Sequence, residues 1–170
     1  MIKKVLSYKK ISNYFIYVLA ILFVFIDQFS KHYVDKTFHL MVPSNLIPNF
    51  VSIQKVYNTG AAFSMLEGNV IFLSFLSIVA IIFIIGYLLK SNARSYLLLS
   101  LAWGLLLGGT IGNLFDRVVH GYVIDFINLS FINFPVFNFA DIFINIGAFI
   151  VIVYIIFENS IHESTHYTRN

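Results

Sequence analysis

Four long apolar runs constrain this sequence more than any other feature in it. They are Ile11 to Ile26, Val70 to Leu89, Tyr96 to Phe115 and Ile142 to Phe157, and the second carries no charge at all. At about 1.5 Å per residue, about 20 residues cross a hydrocarbon core of about 30 Å. The first and last runs reach that length if Asp27 and Asp141 lie near the membrane interface. So small a chain can satisfy its own backbone inside a bilayer only with helices. Of the 170 residues 59% are hydrophobic and 11% charged, whereas average soluble domains are about 25% charged. A water-soluble globule of this size cannot hide that much apolar surface. Soluble enzymes, disordered linkers and nucleic-acid binders are thereby poor readings. The absence of cysteine excludes disulfides, thiol catalysis and thiolate metal sites. The expectation is an all-α polytopic membrane protein, a single membrane-embedded domain over 1–170, with helices at about 11–29, 70–89, 95–115 and 139–157.

Lysine and arginine counts set the orientation. An even number of spans puts both termini on one side, with Lys3, Lys4, Lys9, Lys10, Lys90, Arg94 and Arg169. The other side holds Lys31, Lys36, Lys55 and Arg117. With the acids included, the first side carries +5 and the second −2. Both termini and the turn at 90–95 are therefore expected in the cytoplasm. The basic N-terminus followed by an apolar stretch resembles a signal peptide. No small-residue cleavage site follows Phe25-Ile26-Asp27, so the segment reads as a retained anchor.

Two outer connections, about 32–69 and 117–138, are longer than turns require. Phe50 to Tyr57 alternates loosely and runs into Asn58-Thr59-Gly60, which predicts a strand and a turn. Val123-Ile124-Asp125-Phe126 predicts another short strand. Together they would form a small extracytoplasmic β-rich cradle over the helix ends.

Polar residues at membrane depth carry the functional signal, because a carboxylate at a helix centre costs about 2.5–3.5 kcal/mol even on a lenient insertion scale. Gly104, Gly108 and Gly112 share one face of the third span, and the next residue on that stripe is Asp116. The glycines suit close helix packing, and Asp116 should point into the bundle beside the Asn113 and Arg117 pair. Asn138, Asp141 and Asn145 form a similar stripe in the fourth span, where Asp141 also reads as an N-terminal capping acid. Asp125 lies among apolar residues on the connection between them. Three carboxylates thus meet at one interface. Two close enough to share a proton cannot both ionise easily, which divides them into acid and base, as water-mediated amide hydrolysis requires. Arg117 is placed to neutralise Asp116, leaving Asp125 and Asp141 as the reactive pair. No HExxH spacing, other metal-binding pattern or G-x-S-x-G elbow occurs, so neither a metal site nor a serine nucleophile is expected.

Four motifs then appear in order: Asp27-Gln28-Phe29-Ser30-Lys31; Tyr57-Asn58-Thr59-Gly60-Ala61-Ala62-Phe63-Ser64; Gly112-Asn113-Leu114-Phe115-Asp116-Arg117 continuing into Val123-Ile124-Asp125-Phe126; and Phe137-Asn138-Phe139-Ala140-Asp141. In these the chain resembles the bacterial lipoprotein signal peptidases, also called signal peptidase II. The resemblance implies a membrane aspartic endopeptidase with the catalytic dyad on Asp125 and Asp141. It marks Asp27, Asn58, Gly60, Asn113, Asp116, Arg117 and Asn138 as substrate-binding or dyad-supporting residues. Asp27 retains a local alternative, an i, i+4 ion pair with Lys31. One departure is Tyr57, where the family resemblance leads one to expect a polar residue. The implied fold is a four-helix bundle with an extracytoplasmic cradle and a short lipid-surface helix. The implied substrate is a diacylglyceryl-modified prolipoprotein, cut just before its lipidated cysteine at the outer face of a bacterial cell membrane. No cofactor, metal or nucleic acid is expected, and membrane lipids surround a monomer. The rivals are a small proton-coupled transporter or channel subunit and a non-enzymatic assembly factor. A proton relay needs polar groups across the bilayer, and the second span offers only Ser74, Ser77 and Tyr87.

Overall fold

The structure, a computed structural model, describes residues 13–61, 65–90 and 97–167. The basic N-terminal residues, the turn after Lys90, and Ala62-Phe63-Ser64 of the second motif lie outside the described residues. In chain order the elements are α1 (Asn13–Thr37), β1 (Ser44–Ile47), β2 (Val51–Asn58), α2 (Val70–Lys90), α3 (Leu97–His120), β3 (Val123–Leu129) and α4 (Phe139–Tyr167). Among the described residues, four helices are long and apolar enough to cross a membrane.

α3 is the centre of the bundle and packs on α1, α2 and α4. Twelve of its residues are buried, whereas α1, α2 and α4 turn Leu22, Phe25, Ile82, Phe83 and Phe149 outward. Such an apolar rim is stable only against lipid. The α3 glycines do what their spacing predicts. A Cβ on Gly104 would meet Leu19, on Gly108 Phe23 and Ala20, and on Gly112 the Asp27 carboxylate. Gly109, off that stripe, lets α4 approach Ala140 and Ile144.

α1 runs eight residues past the expected end near 29, because its terminal charges face inward. Asp27 and Lys31 are buried and paired, so the helix continues through them. α3 likewise continues beyond Phe115, with Asp116 buried, and stops at Gly121. There a φ of 76° closes the helix, with the Gly121 N–H donated to Arg117 O at 3.1 Å.

The three strands form one antiparallel sheet in the order β1-β2-β3. β1 is an addition to the two strands expected from sequence. Its side chains are exposed throughout, so it lacks the alternation that betrays a strand. β2 and β3 pair from Val51 with Leu129 to Asn58 with Val123, with a bulge on β2 between Ile53 and Val56. The bulge brings Val56 opposite Asp125. The other edge of β3 takes Phe137, which accepts N–H bonds from Phe126 and Ile127 and donates to Ile127 O at 3.1 Å. β3 is thus clamped on both edges, with Asp125 between the residues that bear Asn58 and Asn138.

Candidate active site

Asn138 is the N-cap of α4. Its Oδ1 accepts the Asp141 N–H at 3.0 Å, while Asp141 Oδ2 accepts the Asn138 N–H at 3.1 Å. This is a capping box with an Asn and an Asp in place of the usual pair. It holds Asp141 over its own helix N-terminus, where the dipole favours a carboxylate. A second acid serves the same helix end from α1: Asp27 Oδ1 accepts the Ala140 N–H at 3.0 Å.

The remaining polar side chains converge on this cap. Asn138 Nδ2 donates to Asp125 Oδ1 at 2.6 Å and to Asn113 Oδ1 at 3.1 Å. Asn113 Nδ2 donates to Asp141 Oδ1 at 2.8 Å. Asn58, at the end of β2, donates to Asp125 Oδ2 at 2.8 Å, and its own Oδ1 accepts the Gly60 N–H at 2.8 Å. Asp125 and Asp141 are therefore one residue apart through Asn138, and each receives amide donors on both oxygens. Asp125 is 2% exposed, and Asp141 is half-buried. Burial, and secondly the charge of Asp141, push the Asp125 carboxyl up to about 7, against the pull of the Asn58 and Asn138 donors.

Both acids line a cleft of about 650 Å³. Asn58, Asn113 and Arg117 add polar groups, and Phe134, Val136 and Ile146 give it an apolar side. A concave apolar site with a few convergent polar groups is the usual form of a binding site. Arg117 reaches across to the turn after β2, where one terminal nitrogen donates to Gly60 O at 3.2 Å. Its Nε is buried without a partner among the described residues. Gly60 is tight there, since a Cβ would sit 2.9 Å from Met65 O.

One expectation is corrected. Asp116 is neutralised by Lys31, with Nζ 3.1 Å from its Oδ2, and not by Arg117. Arg117 turns the other way because Asp116 already has its fill of donors: Lys31, Gln28 Nε2 at 2.9 Å and the Ile124 N–H at 3.2 Å. Asp27 pairs with Lys31 at 2.8 Å, so the local ion pair exists. The same acid also binds α4, so the two readings of Asp27 do not compete.

Sequence reasoning missed Gln28, which joins Asp27, Gly112 O and Asp116 at 2.9–3.1 Å. It also missed the outer wall built around Tyr57. That ring stacks on Tyr122 at 4.2 Å and donates its hydroxyl to Asp35. Burial and the hydrogen bond to Asp35 push the Tyr57 hydroxyl up to about 12. No polar path crosses the described bundle along α2. The Ser74 and Ser77 hydroxyls donate to Val70 O and Leu73 O of their own helix, which removes support from a proton-relay reading.

With this geometry in view, the comparisons with known proteins agree with one another. Residues 19–157 match the family model described as Signal peptidase (SPase) II. The chain is similar to the lipoprotein signal peptidase of Enterococcus faecalis, with 37% identity over 84% of this chain and 88% of the relative. It is also similar to that of Caldicellulosiruptor bescii, with 41% identity over 80% and 87%. A bacterial membrane enzyme solved by the in meso method at 2.3 Å superposes with a TM-score of 0.79 at 31% identity, covering 84% of this chain and 88% of that one.

Proposed function

The chain belongs to the signal peptidase II family, and from that premise we propose that Asp125 and Asp141 are its catalytic pair, acting on lipid-modified lipoprotein precursors. The single observation that carries this reading is the bridge through Asn138, which binds Asp125 with its amide nitrogen and Asp141 with its amide oxygen and backbone N–H.

The chemistry follows from the two environments. Asp125, deeply buried and facing a second carboxyl, holds the shared proton. Asp141, half-buried in the cleft and held by donors, is the base that takes a proton from water. The water oxygen bonds to the scissile carbonyl carbon as Asp125 protonates the carbonyl oxygen. The gem-diol collapses by breaking the C–N bond: the leaving nitrogen takes the proton from Asp141, and one hydroxyl returns its proton to Asp125 as the carboxyl forms. The products are a carboxyl on the released signal peptide and an amine on the lipidated cysteine. Asn58 and Arg117 line the cleft beside the pair, and the unpartnered Arg117 Nε offers a donor to a peptide carbonyl.

The enzyme is a multi-pass membrane protein that works as a monomer with no cofactor. The lysine and arginine bias supports both termini in the cytoplasm and the dyad at the outer interface. The apolar side of the cleft, with Phe134, Val136 and Ile146, suits a substrate that arrives within the lipid.

Incubating the purified protein with a synthetic precursor tests this reading. A peptide carrying diacylglyceryl on its cysteine should be cut immediately before that cysteine, seen as a gel shift and by product mass. The unlipidated peptide should be cut far more slowly. Equal cleavage of both, or cleavage elsewhere, overturns the assignment.

The pH profile follows from Asp125. A carboxyl lifted from 3.8 to about 7 is protonated below that value and ionised above it. Above it the pair loses its acid, so kcat/KM falls as pH rises through about 7. Stability has the same sign, because a native state that binds the proton more tightly than the unfolded chain loses stability as pH rises from about 4 to about 7. A kcat/KM that keeps rising to pH 9 would refute this assignment of the proton.

A further inference from the structure

Behind the pair lies a buried ionic cluster that the mechanism does not use. Lys31 is 1% exposed, and its Nζ has three partners: Asp27 Oδ2 at 2.8 Å, Asn113 Oδ1 at 2.9 Å and Asp116 Oδ2 at 3.1 Å. An ammonium has three donors and no acceptor. The atom that Asn113 turns toward it must therefore be the amide oxygen. The Asn113 nitrogen is then the atom that meets Asp141 Oδ1 at 2.8 Å. The same oxygen takes a donor from Asn138, which leaves the Asn138 nitrogen on Asp125 and its oxygen on the Asp141 N–H. The Asp141 N–H settles the sense of the Asn138 amide, and the Lys31 cation holds that of Asn113.

We propose that Lys31 is a positioning residue for the peptidase reaction: by holding the Asn113 oxygen it keeps the Asn113 nitrogen on Asp141, so that each carboxyl of the pair faces only donors. The inference rests on the Asp125–Asp141 reading above. Without the ammonium, the Asn113 oxygen keeps only the Asn138 donor, and less opposes its turning onto Asp141. Lone pairs would then oppose lone pairs, and the ionised state of the pair would lose a donor. The charged and titratable groups around the pair are Lys31 and Asp27 from α1, Asp116 and Arg117 from α3, and Tyr57 and Glu67 at the cleft.

Replacing Lys31 alone would strand two buried carboxylates, so the test keeps the cluster's net charge with Lys31→Met and Asp27→Asn combined. The full-length double variant is compared with the parent in detergent at matched Tm and matched amounts of folded protein. The expected result is a kcat at least tenfold lower, a KM within twofold, and an alkaline limb of kcat/KM displaced upward by about half a pH unit or more. A purely structural role would lower the yield of folded enzyme and leave the limb where it was. A kcat within twofold and an unmoved limb overturn the proposal.

Asn113→Asp provides a second route if the double variant does not fold. It preserves the acceptor for Lys31 and Asn138 but removes the donor to Asp141. Cleavage should fall at least a hundredfold, and activity near the parent's would equally overturn the proposal. Failure of the underlying dyad reading looks different, because Asp125→Asn or Asp141→Asn would then still cleave.

Discussion

Asp125→Asn and Asp141→Asn should each abolish cleavage of the lipid-modified precursor while leaving the chain inserted and folded. General acid–base contributions run to about 10²–10⁴-fold, and in the proposed mechanism the two groups act in one proton cycle, so losing either should cost at least that much and the double change little more. Each acid accepts one donor on each oxygen, and an Asn keeps an acceptor for only one of the two, so each variant loses one hydrogen bond, a modest cost that the rest of the bundle carries. Asp125→Asn also removes a charge that burial penalises, so its loss of Tm relative to the parent should be smaller above pH 7 than below it. The measurement is a gel-shift time course beside a thermal melt. Cleavage within tenfold of the parent by either variant would remove the acid concerned from the chemistry.

Asn138 has the next largest effect, and its two duties are separable. It is fully buried; its side chain caps α4 and donates to Asp125. Asn138→Ser keeps a good N-cap but has no side-chain nitrogen to reach Asp125 or Asn113. Its Tm should stay near the parent's while kcat falls about a hundredfold. Asn138→Ala loses the cap as well, costing about 1 kcal/mol of stability for that alone and leaving buried groups unpaired at about 1–3 kcal/mol each. If the Ser variant turned over normally, the bridge between the two acids would be a helix cap and nothing more.

The spans were legible because lipid imposes one rule on every residue of a run, so an apolar stretch of sufficient length reads as a helix without knowledge of its neighbours. Asp116 was placed inside the bundle from Gly104, Gly108 and Gly112 alone, since a shared helix face is a local property. The convergence of Asp125, Asp141 and Asn138 was partly legible, since short connections tie them together. The partner of Asp116 was not. Arg117 is adjacent in sequence, but Lys31 reaches Asp116 only because α1 lies against the glycine face of α3. The same holds for Gln28 and for β1, whose pairing with β2 leaves no alternation to read.

Asp27 of the first span accepts the Ala140 N–H at the entry to the last, a contact with a consequence for biogenesis. A ribosome-bound chain that has threaded three spans into the bilayer owns Asp125 but has neither Asn138 to steady it nor Asp141 to oppose it. If Asp125 and Asp141 are the catalytic pair, competence to cut is acquired only when the final span arrives and docks against the first. A stalled or truncated translation product is inert by construction.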